Sequence, residues 1–172
     1  MQKGEEIVAE LMRLAAVTAP KAVGQDFIEV KVCTRAEMDK VAKEMLAIGK
    51  EKGTPNWDRD AKGIEKSSGL VLIGLLQHKG VGLNCQACGF KTCADFNEAK
   101  TSGEFDGPNC MLRLLDLGIA LGSAVKTAQI HNVDNRIMYR AGVAARRLGF
   151  MKSKVIMGIP LSVSGKNIFF DR

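Results

Sequence analysis

Between residues 5 and 18 the chain puts Ile7, Leu11, Leu14 and Thr18 on one stripe, with Glu5, Glu6, Glu10 and Arg13 away from it. That is the period of an amphipathic helix, and Pro20 ends it. After the loop APKAVGQD the period falls to two. Ile28, Val30 and Val32 alternate with Glu29, Lys31 and Cys33, which predicts a strand with one buried face and makes Cys33 a small packing residue on the other. Thr34 opens T-R-A-E, a capping box in which the Thr34 hydroxyl accepts from the Glu37 amide and the Glu37 carboxylate reaches back. Met38, Val41, Met45 and Ile48 follow at helical spacing, and Gly49 and Gly53 are expected to end this helix. Residues 53–68 are polar except for Trp57 and read as a surface loop, with Trp57 as a lid over a core edge.

GLVLIGLL, residues 69–76, is continuously apolar and fits a strand buried on both faces. Turn signals at Gly89, Gly103 and Gly107–Pro108 punctuate the next stretch. Helices are expected over about 111–130 and 135–148, the second capped near Gly149. A strand is expected over KVIMGIPLSV and a further one over KNIFFDR. The order is helix, strand, helix, strand, irregular segment, helix, helix, strand. It predicts an α+β sheet packed by helices, one domain over 1–172 with a segment inserted at 83–112.

Charge and composition narrow the classes. The net charge is +6, spread along the chain, with its densest spots at Lys50–Lys52 and Arg146–Arg147. No block of like charges and no aromatic–basic stacking surface marks nucleic-acid binding, whereas a basic surface suits an acidic protein partner. The N-terminus is too broken by charge for a signal peptide, and no apolar run is long enough to span a bilayer. A cytoplasmic protein is expected, and a reducing compartment disfavours structural disulfides.

That turns attention to the cysteines. LNCQACGFKTCADF, residues 83–96, holds three, and Cys110 follows sixteen residues after Cys93. The pattern C-x2-C-x4-C-x16-C admits four readings. A redox pair at Cys85 and Cys88 leaves Cys93 and Cys110 without a role. Structural zinc takes four thiolates but is commonly built from two C-x-x-C knuckles, and here there is one. Packing alone sits poorly with the polar neighbours Asn84, Gln86, Lys91 and Thr92. An iron–sulfur cluster on Cys85, Cys88, Cys93 and Cys110 accommodates the uneven spacing and the remote fourth ligand. His78 and His131 are far apart, pair with no obvious nucleophile, and read as structural or exposed.

CQACGFKTCADF with its distant cysteine resembles the four-cysteine 4Fe–4S domain of the corrinoid iron–sulfur protein. Gln86 stands where that family usually has Gly, and Asn97 where a small residue is common. The resemblance implies a 4Fe–4S cluster on the four cysteines. LMRLAAVTAPKAVGQDFIEVKV, DLGIALGSAVKTAQ and KVIMGIPLS resemble the opening, the long central helix and a late strand of the nitroreductase fold. As a whole the chain is similar to a family described as containing a ferredoxin domain, found mainly in anaerobic bacteria and archaea. Together these imply a nitroreductase-like homodimer that carries electrons.

Nitroreductases also bind FMN. The paired arginines of that family's start are missing here. Lys21 stands where Ser is expected, and Val23-Gly24 replace the Asn region. Lys21, Lys166 and Arg172 are left as candidates for an FMN phosphate. Gly118 and Gly122, four apart on one helix face, are expected to permit close packing.

Overall fold

The computed structural model describes residues 3–170. Four antiparallel strands form one sheet in the order β1-β2-β4-β3: β1 (Ile28–Val32), β2 (Gly69–Leu75), β3 (Asp134–Asn135) and β4 (Val155–Ser162). Helices α1 (Lys3–Thr18) and α5 (Met111–Ile130) cover one face. Helices α2 (Arg35–Lys52), α3 (Trp57–Lys66) and α6 (Tyr139–Arg147) cover the other, and the short α4 (Cys93–Glu98) lies between β2 and α5.

Every residue of β2 is buried, as the unbroken apolar run requires. Its side chains divide by parity: Val71, Ile73 and Leu75 enter the core under α1 and α5, and Leu70 and Leu72 enter the one under α2, α3 and α6. β4 repeats the division, with Val155, Ile159 and Leu161 on the first side and Ile156 on the second. Ile28, Val30 and Val32 of β1 face the first core, and Cys33, just past the strand, is buried in the second.

The α1 stripe read from the sequence is on the wrong side. Ile7 is 54% exposed and Leu14 45%, while Val8, Ala9, Met12 and Ala16 are buried. The buried faces of α1 and α5 are rich in small residues, Ala9 and Ala16 on one and Ala120, Ala124 and Ala128 on the other, with Met12 and Leu117 in the same core. Ile7 and Leu14 are left pointing outward. On the opposite layer, the Thr34 capping box forms as expected: Thr34 Oγ1 accepts from the Glu37 amide at 3.3 Å, and Glu37 Oε2 accepts from the Thr34 amide at 2.8 Å.

Three boundaries also differ from expectation. α2 runs through Gly49 to Lys52 and is capped by Gly53 at φ 62°. Gly49 instead makes room for Trp57, since a Cβ there would stand 2.5 Å from the Trp57 Cβ. Residues 57–66 of the expected loop form α3. Trp57, Ala61 and Ile64 repeat every three to four positions on its buried face, and Trp57 is indeed the lid, 4% exposed. Residues 135–138 extend along β4 before α6 begins, with Met138 and Gly158 exchanging both backbone hydrogen bonds. The expected strand at KNIFFDR is absent over its described part, 166–170. There Phe169 plugs the α2–α3–α6 core without strand pairing.

α6 approaches β4 through Gly142, where a Cβ would overlap the Ile156 carbonyl oxygen. Gly142→Ala is therefore expected to destabilise the fold by about 3 kcal/mol in urea unfolding. Gly4→Ala, on open helical surface, is expected to be neutral or stabilising by up to about 1 kcal/mol.

Candidate functional site

The segment from residue 76 to residue 110 joins β2 to α5 and carries four of the five cysteines. It leaves the sheet through Leu76, whose amide is still held by the Phe27 carbonyl at 2.9 Å. The chain then turns through positive φ at Gly82 (95°), Asn84 (48°), Gln86 (61°) and Gly89 (86°). Four positive-φ reversals in eight residues wind Cys85 and Cys88 back toward Cys93. Thr92 caps α4 through a second capping box with Asp95, which fixes Cys93 as the first helical residue. T-C-A-D was readable as a helix start for this reason.

Cys110 is delivered separately. Residues 101–107 close on themselves through Thr101 and Gly107, whose backbones exchange hydrogen bonds at 2.9 and 3.0 Å. Arg146 anchors that loop to α6 by pairing with Asp106 and donating to the Glu104 carbonyl, and Lys154 donates to the Pro108 carbonyl at 3.1 Å. Arg147 pairs with Glu44 and Glu51, so the densest basic pair of the sequence is occupied by ion pairs. Cys110 then stands at the N-cap of α5, where the helix dipole favours negative charge.

Cys85, Cys88, Cys93 and Cys110 line one small concavity, together with Phe90, Phe96, Met111 and Leu112. Cys85 is exposed and Cys110 buried, so the set spans from solvent to interior. Gly80 contributes room: a side chain there would stand 3.2 Å from the Cys93 sulfur. Among the described residues, no three His, Cys, Asp or Glu side chains are grouped so as to hold a single metal ion. Four thiols bordering one concavity are, by their chemistry, the donor set that an iron–sulfur cluster takes.

Two side chains whose parts here the sequence did not reveal border this site. His78 is 5% exposed and lies between Phe27, edge-on at 6.2 Å, and Phe96, stacked at 6.2 Å. Its Nδ1 is 2.9 Å from the Leu76 carbonyl, so Nδ1 carries the proton and Nε2 accepts from the Cys110 amide at 3.2 Å. Burial, more than any neighbouring charge, holds its pKa below the usual histidine value. Asn84 Oδ1 accepts from the Cys93 amide at 2.8 Å. Only the flanking turn residues hinted at Asn84, and nothing local in the sequence tied His78 to a cysteine thirty-two residues away.

A third unforeseen group is Arg113, 1% exposed and one turn into α5. Its guanidinium lies 4.8 Å over the Phe27 ring and donates to the Ala22 carbonyl at 2.9 Å and to Asp116 at 3.3 Å. Asp116 in turn accepts from the Ala22 amide at 2.8 Å. This pair clamps the loop after α1. Lys21 in that loop caps α1, donating to the Val17 carbonyl and to the Ala16 carbonyl at 3.4 Å, with Asp26 at 3.7 Å. Its ammonium therefore already serves three oxygens. Lys166 lies in the segment after β4, and Arg172 falls outside the described residues.

Comparison with known proteins places the chain. The family described as "Uncharacterized protein containing a ferredoxin domain" matches residues 106–172, which include Cys110. A protein of Archaeoglobus fulgidus, itself described only as uncharacterized, is 47% identical over 171 residues, covering 99% of this chain and 92% of its own length. The chain belongs to this ferredoxin-domain family. Its fold is that of the nitroreductases. The FMN-dependent nitroreductase NfnB of Mycobacterium smegmatis, solved in complex with NADPH, superposes with a TM-score of 0.60 at 11% identity, over 93% of this chain and 78% of that one. A nitroreductase of Desulfitobacterium hafniense, solved with bound FMN, gives 0.55 at 15% identity, over 96% and 79%.

The fifth cysteine stands apart from the site. Cys33 is 1% exposed in the α2–α3–α6 core, and burial pushes its thiol up to about 12. Only the thiolate is nucleophilic. In metal-free protein at pH 8, iodoacetamide is expected to alkylate Cys85 and spare Cys33 by peptide mass mapping, with Cys33 labelled only in denaturant.

Proposed function

We propose that this chain is an iron–sulfur electron carrier of anaerobic cytoplasm, holding a 4Fe–4S cluster on Cys85, Cys88, Cys93 and Cys110. The observation that carries this reading is that four cysteines from three separate stretches of chain border one space. Membership in a ferredoxin-domain family supports it. When bound, such a cluster takes up and releases single electrons at a potential set by its surroundings. The chain's own groups divide the work. Cys110 sits at a helix N-terminus, which favours the net negative charge of a thiolate-ligated core. Phe90 and Phe96 exclude water from the inner side, and the exposed Cys85 marks the side open to a redox partner. The net charge of +6 suits an acidic one.

A flavoenzyme reading, with the cluster auxiliary to FMN, is favoured by the described FMN of the Desulfitobacterium neighbour. The engagement of Lys21 weighs against it. Structural zinc would draw the four thiolates to about 2.3 Å from one ion. Iron, acid-labile sulfide, zinc and flavin assays on one anaerobically purified sample separate the three. About four iron and four sulfide per chain are expected, and Cys93→Ser should lose most of the visible absorption. Stoichiometric zinc without sulfide, persisting after anaerobic reconstitution, overturns the carrier reading.

The active form is a homodimer in this reading. Leu115, Gly118, Ile119 and Gly122 form an exposed stripe on α5, with Ile7, Leu14 and Val17 exposed on the neighbouring α1. Among the described residues outside the helix's own backbone, nothing lies within 4 Å of a Cβ built at Gly118 or Gly122, which leaves room for close approach by a second copy. Ile119→Glu is expected to halve the mass found by sedimentation equilibrium while leaving the circular dichroism unchanged.

A further inference from the structure

Two of the four cysteines do not have their own backbone N–H available to sulfur. The Cys110 amide is held at 3.2 Å by His78 Nε2, and the Cys93 amide at 2.8 Å by Asn84 Oδ1. Neither contact is incidental. The His78 tautomer is set by the Leu76 carbonyl at the end of β2, and its ring is wedged between Phe27 and Phe96. Asn84 adopts a positive φ of 48°, a conformation Asn tolerates better than most residues, and this aims its amide oxygen across nine residues at Cys93. Backbone N–H groups that donate to sulfur stabilise the more negative, reduced form of an iron–sulfur cluster and raise its potential. Side chains that take those N–H groups do the opposite.

We infer that His78 and Asn84 are positioning residues that lower the reduction potential of the centre by withholding the Cys110 and Cys93 amides from sulfur. This rests on the cluster reading above and deepens it: the chain is built to deliver electrons at low potential to its acceptor. Both amides belong to cysteines that border the concavity. Here each is turned to a side-chain acceptor that contributes no thiolate.

The test is an anaerobic redox titration of purified protein with dithionite and mediators, followed by EPR of the one-electron-reduced centre. His78→Phe keeps the aromatic wedge and removes the acceptor. Asn84→Gly keeps the positive φ and removes the other. Gln86→Gly is the control: it opens the same exposed loop at another positive-φ position, yet Gln86 takes no cysteine amide. Each of the first two is expected to raise the reduced-to-oxidised ratio at the wild-type midpoint about tenfold, which is about 59 mV for one electron. Gln86→Gly should stay within about twofold.

Equal midpoints in all four proteins overturn the inference, as does an equal rise in Gln86→Gly, which would assign the effect to solvent access. If His78→Phe fails to fold, Asn84→Gly against Gln86→Gly decides it. Iron and sulfide are assayed first on the wild type. Their absence sinks the cluster reading itself, an outcome distinct from a loaded protein whose potential does not move.

Discussion

β2 is buried on both faces along its whole length, and this constraint organises the rest of the molecule. A strand that water reaches on neither face must have its backbone paired on both edges and its side chains covered on both sides. β1 and β4 meet the first demand, and the α1–α5 and α2–α3–α6 layers meet the second. The glycines at the tightest contacts serve this layering. Gly142 lets α6 lie on the β4 backbone, and Gly49 lets Trp57 lie on α2.

The cysteine site hangs from the end of the same strand. Leu76 donates to Phe27 as the sheet ends, and its carbonyl then orients His78. His78 holds the backbone of Cys110, Phe27 supports both His78 and the buried Arg113, and Arg113 clamps the loop after α1. Removing Arg113 would leave Asp116 buried without its counter-charge, a change that typically costs several kcal/mol. One continuous set of contacts therefore joins the sheet, the N-terminus of α5 and the loop after α1. The thiols run from Cys85, exposed to solvent, to Cys110, buried against this scaffold.

The two faces of the α1–α5 pair show how burial and apolarity part company. The buried faces of the two helices are rich in alanine, with Met12, Leu117 and Leu121 among them. Ile7, Leu14, Leu115 and Ile119 point outward. A second copy of the chain would use what the first leaves uncovered.

The local periods of the chain were enough to find β1, β2, β4, α2 and α5, because each element's own side chains carry its burial pattern. The capping box at Thr34 was equally legible, since its two partners are three residues apart. The four cysteines announced a candidate site by spacing alone. Four features depended on the assembled fold. The buried side of α1 depends on which helix lies against it, and size misleads where the buried face is rich in small residues. α3 was hidden because its polar residues outnumber the few that it buries. The short edge at Asp134–Asn135 exists only through pairing with β4. His78 and Asn84 acquire their parts only when the chain brings residues thirty-two and nine positions apart within hydrogen-bonding distance. Spacing along the chain specifies which atoms are present as ligands. It says nothing about which amides face them, because that direction is set by contacts between segments distant in sequence.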